Sequence, residues 1–314
     1  MIDLNDLAYK MRNSVTDFEF LLSDRLQKIK SMNELYDLEH KAYISFSGGK
    51  DSTVLSALFD LALPGNQIPR VYINTGIDYR AIVDFVKEYG KRDGRLQVIR
   101  PSQNIKKMLD ENGYPFKSKE HSQKVALYQH SGMCKTVSNY LGNGTKTSFL
   151  CPDKLKYNFT QCFTLKVSDK CCYKLKKEPA ALWSEKNKRP ITITGIRQEE
   201  GGLRQSLTSC TVFYNADCKN LHKFHPLLVV SNEWINDFVK NFNIELCKLY
   251  YPPYNFKRTG CKGCPYSVDL QVQLDVMSVY FPEERKQCEM IWHKVYEEYR
   301  KNNYRLQRTL FDTL

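Results

Sequence analysis

The segment Ser45-Phe46-Ser47-Gly48-Gly49-Lys50-Asp51-Ser52 constrains this chain more than any other. Before it runs a short β-prone stretch, Ala42-Tyr43-Ile44, which Phe46 extends. After it, Val54, Leu55, Leu58, Leu61 and Ala62 recur at helical spacing. The pattern predicts a buried strand, a glycine turn and a helix start. Gly48 and Gly49 open backbone conformations closed to other residues and let bare main chain approach a ligand. Amides at the helix start point at that ligand, and the helix dipole favours negative charge there. Lys50 adds a point charge, and the Ser47 and Ser52 hydroxyls add donors. The expectation is a pyrophosphate cradle; the plainer alternative is a serine/glycine loop capping an ordinary helix.

The rest of the chain alternates in the same way. Arg70–Gly76 reads as a second strand ending in a turn, followed by a helix through about residue 91. Leu96–Arg100 reads as a third strand and Pro190–Gly195 as another. Strands alternating with helices imply right-handed βαβ units. The predicted fold is α/β, a doubly wound, mostly parallel, Rossmann-like sheet with helical N- and C-terminal extensions. Residues 1–40 form a helical lead, with Leu21, Leu22, Leu26, Ile29 and Met32 on one side. Residues 41–230 form the nucleotide-binding α/β domain, with an irregular insertion at about 113–165. Residues 231–314 form a C-terminal helical region, with helices at Asn232–Asn243 and Glu283–Asn302. Ligands of open parallel sheets bind at the carboxyl ends of strands, so the loops 47–52, 74–78 and 195–204 are expected to share one crevice. Thr75 and Gly195 join the binding residues on that ground.

With 314 residues the chain can build a core without disulfide staples. No segment has the length of an apolar membrane span, and the start has neither the basic nor the apolar region of a signal peptide. A cytoplasmic, reducing setting is therefore expected. The 11 cysteines then serve metals or catalysis more than bridges, and their odd number argues against a fully paired framework. A net charge of +12 fits anionic nucleotides or a nucleic-acid backbone, and composition does not separate the two.

Two cysteine pairs stand out, Cys171-Cys172 and Cys261-x-x-Cys264. Four thiolates match the ligand count of an iron–sulfur cluster or a structural zinc. Neighbouring side chains on a regular helix diverge by about 100°, so vicinal cysteines must sit near a helix end to share one centre. Gly260 and Gly263 allow a tight loop around the second pair. Spacing alone leaves zinc, iron–sulfur and plain buried cysteines open.

Resemblance adds to this reading. Ser47-Gly48-Gly49-Lys50-Asp51-Ser52 is not a Walker A loop; it resembles the PP-loop of the adenine nucleotide alpha-hydrolase superfamily. Cys171-Cys172-Tyr173-Lys174-Leu175-Lys176-Lys177-Glu178-Pro179 resembles the C-C-x-x-x-K-x-x-P segment of cluster-containing adenylyl-sulfate reductases, in the phosphoadenosine phosphosulfate (PAPS) reductase family. Cys261-Lys262-Gly263-Cys264 falls where their later pair lies. Gly195-Ile196-Arg197-Gln198-Glu199-Glu200-Gly201-Gly202-Leu203-Arg204 is similar to their G-x-R-x-x-E-S-x-x-R signature, with Gly201 in place of the serine. His225-Pro226-Leu227, Trp234 and Tyr250 echo the stretch between.

The resemblance implies a [4Fe–4S] cluster on Cys171, Cys172, Cys261 and Cys264, with ATP or an adenylyl sulfate (APS or PAPS) as nucleotide and Mg²⁺ on its phosphates. Lys50, Asp51, Arg197 and Arg204 are the catalytic candidates. The binding set is Ser45, Ser47, Gly48, Gly49, Lys50, Asp51, Ser52, Thr75, Gly195 and Arg197. Arginine forks suit phosphate or sulfate oxygens; their plainer role is ion pairing with Glu199 or Glu200. One departure is marked: the reductases carry a nucleophilic cysteine in a C-terminal tail, and here no cysteine follows Cys288. Cys134, Cys151 and Cys162 are the candidate substitutes.

Two reactions follow. The first is ATP pyrophosphatase activity that activates a nucleic-acid substrate for sulfur transfer, as in relatives acting on tRNA or on DNA in phosphorothioation; a cysteine desulfurase is the matching partner. The second is reduction of APS or PAPS to sulfite with thioredoxin. A homodimer is the oligomeric expectation.

Overall fold

Strand formation starts where the sequence alternates. On β1 (Ala42–Ser45), Ala42 and Ile44 face one side and Tyr43 the other, and all three are buried. The computed structural model describes residues 16–144, 150–215 and 220–307. It divides into two compact units, one drawn from segments 1–73, 81–99 and 181–250, the other from 74–80, 100–180 and 251–314. No helix among the described residues is long and apolar enough to cross a membrane.

The first unit holds a six-stranded sheet in the order β3-β2-β1-β4-β6-β5. Its strands are β1, β2 (Arg70–Ile73), β3 (Leu96–Ile99), β4 (Ile191–Ile193), β5 (Thr211–Phe213) and β6 (Leu221–Phe224). All neighbours are parallel except the edge pair β5–β6. The mostly parallel α/β architecture expected from sequence is therefore present. Ile44 lies beside Ile193 and Tyr43 beside Thr192, so β1 and β4 sit side by side at the centre. Strand order runs outward from β1 to β3 and then resumes on the other side at β4. That reversal is the switch point at which open sheets leave a crevice.

Helices cover the sheet on both faces. Helix α1 (Asp17–Tyr36) begins with a capping box in which Thr16 and Glu19 satisfy each other's main-chain amides. Its buried Ile29 and Met32 join Val54, Leu55, Leu58 and Phe59 of α3 (Lys50–Ala62), after the short turn α2 (Leu38–Lys41). Trp234, Ile235 and Phe238 of the later helix Asn232–Asn241 complete that layer with Ile44, Ile193 and Phe224. On the opposite face Tyr43 and Val71 pack against Trp183, whose ring meets Tyr43 edge-on at 5.1 Å. The helical lead expected over 1–40 is seen from Asp17 onward; its first fifteen residues lie outside the described ones.

The second unit is helical. Within it α4 (Arg80–Arg92) contributes only its first residue, the remainder belonging to the first unit. Next come α5 (Ile105–Asn112), α6 (Lys119–Ser131) and α7 (Lys135–Tyr140), then a 3₁₀ turn at Asp153–Phe159 and a π-turn at Tyr173–Lys177 leading into α8 (Glu178–Lys186), whose residues from Ala181 on belong to the first unit. After α9 (Asn232–Asn241) of the first unit, α10 (Leu270–Tyr280) and α11 (Pro282–Lys301) close the described chain. Among its described residues, the stretch 113–165, read as irregular, carries two α-helices and a 3₁₀ turn. Its apolar positions are spread thinly among polar ones because the core here is partly polar. His121 is fully buried between the Tyr140 hydroxyl at 3.0 Å and the Asn158 carbonyl oxygen at 3.1 Å.

Candidate functional site

The candidate site residues fall into two groups, one in each unit. In the first unit, β1 ends at Ser45 and the chain turns through Gly48 at φ +69°. A Cβ at Gly48 would stand 2.8 Å from Val86 Cγ2 and 3.1 Å from Ile82 Cγ2, so both conformation and space require glycine. Gly49 is the N-cap of α3 and offers no side chain to its first amides. Ser52 ties the turn together: its hydroxyl accepts from the Ser47 amide at 3.1 Å and donates to the Gly49 carbonyl at 2.9 Å. Ser47 and Ser52 hydroxyls are 3.0 Å apart, and the Gly49 amide donates to Ser47 Oγ at 3.3 Å. The hydroxyls expected to face a phosphate therefore first hold the turn itself.

The Lys50 amide donates to the Tyr250 hydroxyl at 3.0 Å, and Lys50 Nζ to Asn236 Oδ1 at 3.1 Å. Burial pulls the Lys50 ammonium below the usual lysine value, opposed in part by Asp51. Beside the turn, the loop after β4 comes close: a Cβ at Gly195 would lie 3.0 Å from the Asp51 carbonyl oxygen. Arg197 is 3% exposed, and each nitrogen of its guanidinium donates a hydrogen bond. Nε donates to Asp51 Oδ1 at 2.8 Å, Nη2 to Asn232 Oδ1 at 2.7 Å, and Nη1 to Glu199 Oε2 at 3.1 Å. Arg204, more exposed, pairs with Glu200. As arranged, Arg197 fastens the β4 loop to the helix start, and both arginines make the carboxylate pairs that were their plainer reading.

Lys50, Asp51, Gly195 and Arg197 are thus brought together, while Arg204 points to its own loop. Asn232 and Asn236 were missed. Their signal was present: four residues apart, they lie on the polar side of a helix whose Trp234, Ile235 and Phe238 are buried. Tyr250 was noticed only as a family echo, and nothing in the sequence pointed to its hydroxyl.

Thr75 falls in the second unit. Its amide and hydroxyl both donate to Asp78 Oδ2, at 2.9 and 2.8 Å. Asp78 forms an isolated bridge with Cys261, and the Lys262 amide donates to the Ile77 carbonyl at 2.8 Å. The loop after β2 is therefore stitched to the Cys261–Cys264 loop. The latter turns at Gly263, φ +60°, where a Cβ would meet Tyr296 Oη at 2.5 Å and Cys288 Sγ at 2.7 Å.

The four paired cysteines influence one another. Burial raises the Cys171 thiol pKa first, and the charges of Cys261, Cys172 and Cys264 raise it further. Burial and Cys261 push Cys264 up to about 12. Burial also raises Cys261, against the pull of Lys176, which hydrogen-bonds to its sulfur. Among the described residues, no group of three or more His, Cys, Asp or Glu side chains stands at metal-holding distances. The donor chemistry nonetheless suits a thiophilic centre: these are four cysteine sulfurs, and a bound cation would favour their ionised form, which burial here disfavours. Of the substitute nucleophiles, Cys134 is half-buried at the start of α7 and Cys162 is exposed. Cys151 is buried, which pushes its thiol up to about 11 and away from reactivity.

Comparison with known proteins gives one family match: the phosphoadenosine phosphosulfate reductase domain, over residues 41–142 and 148–267. A curated relative, an uncharacterized protein of Methanocaldococcus jannaschii, is 24% identical over 288 residues, covering 86% of this chain. The chain spans about half the length of that relative, 55%. Among solved structures, the PAPS reductase of Candida auris in a phosphate complex aligns with a TM-score of 0.43 at 12% identity, covering 79% of this chain and 96% of its own. The NH3-dependent NAD synthetase of Campylobacter jejuni aligns at 0.41 and 14% identity, over 94% of this chain and 100% of its own.

Proposed function

The chain belongs to the phosphoadenosine phosphosulfate reductase domain family, and on that premise we propose that it is an ATP pyrophosphatase that activates a nucleic-acid acceptor for sulfur transfer. The observation that carries this reading is the glycine turn at the β1/β4 switch point. Gly48 at φ +69° and the side-chain-free cap at Gly49 leave the start of α3 facing the crevice with Lys50 beside it. Such a site stabilises the charge that grows on a departing pyrophosphate.

An acceptor oxygen attacks the α-phosphorus of ATP; a new P–O bond forms, the bond to the bridging oxygen breaks, and pyrophosphate leaves. A cysteine desulfurase supplies sulfur as a persulfide, which a thiol reductant cleaves to sulfide, becoming a disulfide; the sulfide forms the new bond to the adenylylated acceptor and AMP leaves with the acceptor oxygen. Lys50 and the helix-start amides hold the leaving phosphates, exchanging the Tyr250 hydroxyl for a phosphate oxygen. Arg197 keeps Asp51 and the Gly195 loop in place and is a positioning residue. Mg²⁺ arriving with the nucleotide would share the phosphate charge. Cys171, Cys172, Cys261 and Cys264 would hold a [4Fe–4S] cluster, whose cationic iron–sulfide core would stabilise the four thiolates.

A second reading rests on the exposed thiol of Cys162. Its thiolate attacks the sulfur of an adenylyl sulfate, releasing the adenylate and leaving a thiosulfonate. The dithiol of thioredoxin then reduces that bond, becomes a disulfide and frees sulfite.

Phosphorus NMR on anaerobically purified protein with Mg-ATP and mixed tRNA or DNA separates these. The first reading expects AMP and pyrophosphate, lost in Lys50→Ala. Sulfite from an adenylyl sulfate and thioredoxin, abolished by Cys162→Ser, supports the second instead. ADP and phosphate, or turnover unchanged by Lys50→Ala, would overturn the first.

A further inference from the structure

The vicinal cysteines run into a π-turn, Tyr173–Lys177. Its i→i+5 hydrogen bonding widens the helix, so residues five apart share a face, and such turns concentrate at functional positions. Cys172 and Lys177 accordingly stand on one wall of a 470 Å³ cavity, while the intervening Lys176 reaches the Cys261 sulfur. Lys119, from the first turn of α6, and Lys170 add two more cations to the lining, and Lys174 a fourth. Asp169 is the one acidic residue in the wall. Lys119, Lys170 and Lys177 are exposed, whereas Lys174 pairs with Glu178 at 2.6 Å and lies 5.9 Å from the Tyr173 ring centroid. Tyr173 itself is 52% exposed, an aromatic ring that Lys174 approaches from one side and that shares the cavity wall with the other lysines.

A solvated lysine face is the ordinary meaning of such a cluster. Three features go beyond that: the lysines line a concavity rather than a convex surface, an open aromatic ring stands among them, and a cysteine thiol forms part of the wall. An acidic protein would pair with the lysines but gains little from the ring. A duplex offers phosphates but keeps its base faces stacked. A single strand offers both phosphates and base faces.

We infer that the cavity beside Cys172 docks the backbone of a single-stranded nucleic-acid segment, with Tyr173 as the platform on which a base stacks. This deepens the acceptor half of the proposed function and rests on it for purpose; the binding itself needs neither ATP nor cluster.

Fluorescence anisotropy of a labelled single-stranded 20-mer, as DNA and as RNA, with the full chain across 50–200 mM salt tests the inference. Each phosphate contact contributes about 0.7 to the slope of log affinity against log salt on single strands. Lys170→Ala/Lys177→Ala is expected to weaken binding about tenfold or more and to flatten that slope by about 1.4. Tyr173→Ala is expected to weaken binding about tenfold with the slope unchanged, because stacking releases no counterions. Lys87→Ala/Lys91→Ala, on exposed positions of α4, serves as the control and is expected to bind like the unmodified protein. The inference is overturned if the double variant keeps affinity and slope, if Tyr173→Ala matches the control, or if polyglutamate competes as well as the oligonucleotide. Oligonucleotide binding that obeys these expectations, in a protein releasing no pyrophosphate, would remove the proposed reaction and leave this site standing.

Discussion

Gly48 and Gly263 turn their loops through positive φ, +69° and +60°, and at each a Cβ would collide with packed side chains. Around Gly48 the neighbours are Val86 and Ile82, and the loop presents helix-start amides and Lys50. Around Gly263 they are Tyr296 and Cys288, and the loop presents thiols that burial and mutual repulsion keep from ionising. One backbone device therefore serves opposite electrostatics. On the proposed reading the first unit offers amides and a lysine to an anion, and the second offers thiols to a cation. Tight glycine turns set how closely main chain and ligand approach, and the surrounding side chains set the sign of what is held.

The largest effect expected from this contrast is on metal content. Cys261→Ser, after anaerobic reconstitution, should lose essentially all iron and visible absorbance while ATP affinity stays within about twofold. Equal loss of both would break the contrast.

Acid should come next. Burial, reinforced by neighbouring cations, lowers His121 to about 3 and His225, just after β6, to about 4. A ring held neutral by the fold contributes fully above its ordinary value near 6.5, and that contribution shrinks as pH falls toward the lowered one. Between pH 7 and 5 each should cost up to about 2 kcal/mol. Denaturant midpoints should fall over that range, and His121→Gln should flatten the dependence. A midpoint rising on acidification would contradict the assignment.

Gly48→Ala should cost about 1–3 kcal/mol through strain at positive φ and crowding against Val86, with reduced ATP affinity and unchanged iron. Gly263→Ala should do the reverse, reducing iron and sparing ATP. Calorimetry and iron assay of the two variants sharpen the comparison.

Much of the first unit was legible in the sequence because its signals are local. The apolar run before Ser45, the paired glycines and the helical spacing of Val54, Leu55 and Leu58 each imply their element without reference to distant residues. Gly195 could be placed because strand order carries the β4 loop to the same edge. The partners of Lys50 and Arg197 were not legible, since Asn236, Asn232 and Tyr250 arrive from far along the chain. In the second unit the helix α6 escaped notice because its buried positions include the polar His121 and Ser122, which blur the apolar period, and α7 is only 6 residues long. The linkage of Thr75 and Asp78 to the cysteine loop is likewise a tertiary fact.

The smallest effect belongs to Tyr250. Its hydroxyl occupies an amide that a phosphate oxygen would take. Tyr250→Phe should therefore cost about 1 kcal/mol of unliganded stability and leave ATP affinity undiminished, measured by thermal melts with and without nucleotide.

Isothermal titration of ATP into the unmodified protein and into Lys50→Ala tests the phosphate cradle most directly. The account predicts saturable one-to-one binding that weakens at least about tenfold in Lys50→Ala, consistent with loss of a charged hydrogen-bond donor, with both proteins melting at the same temperature. Equal affinity in the two proteins, or heat that does not saturate in either, would contradict it.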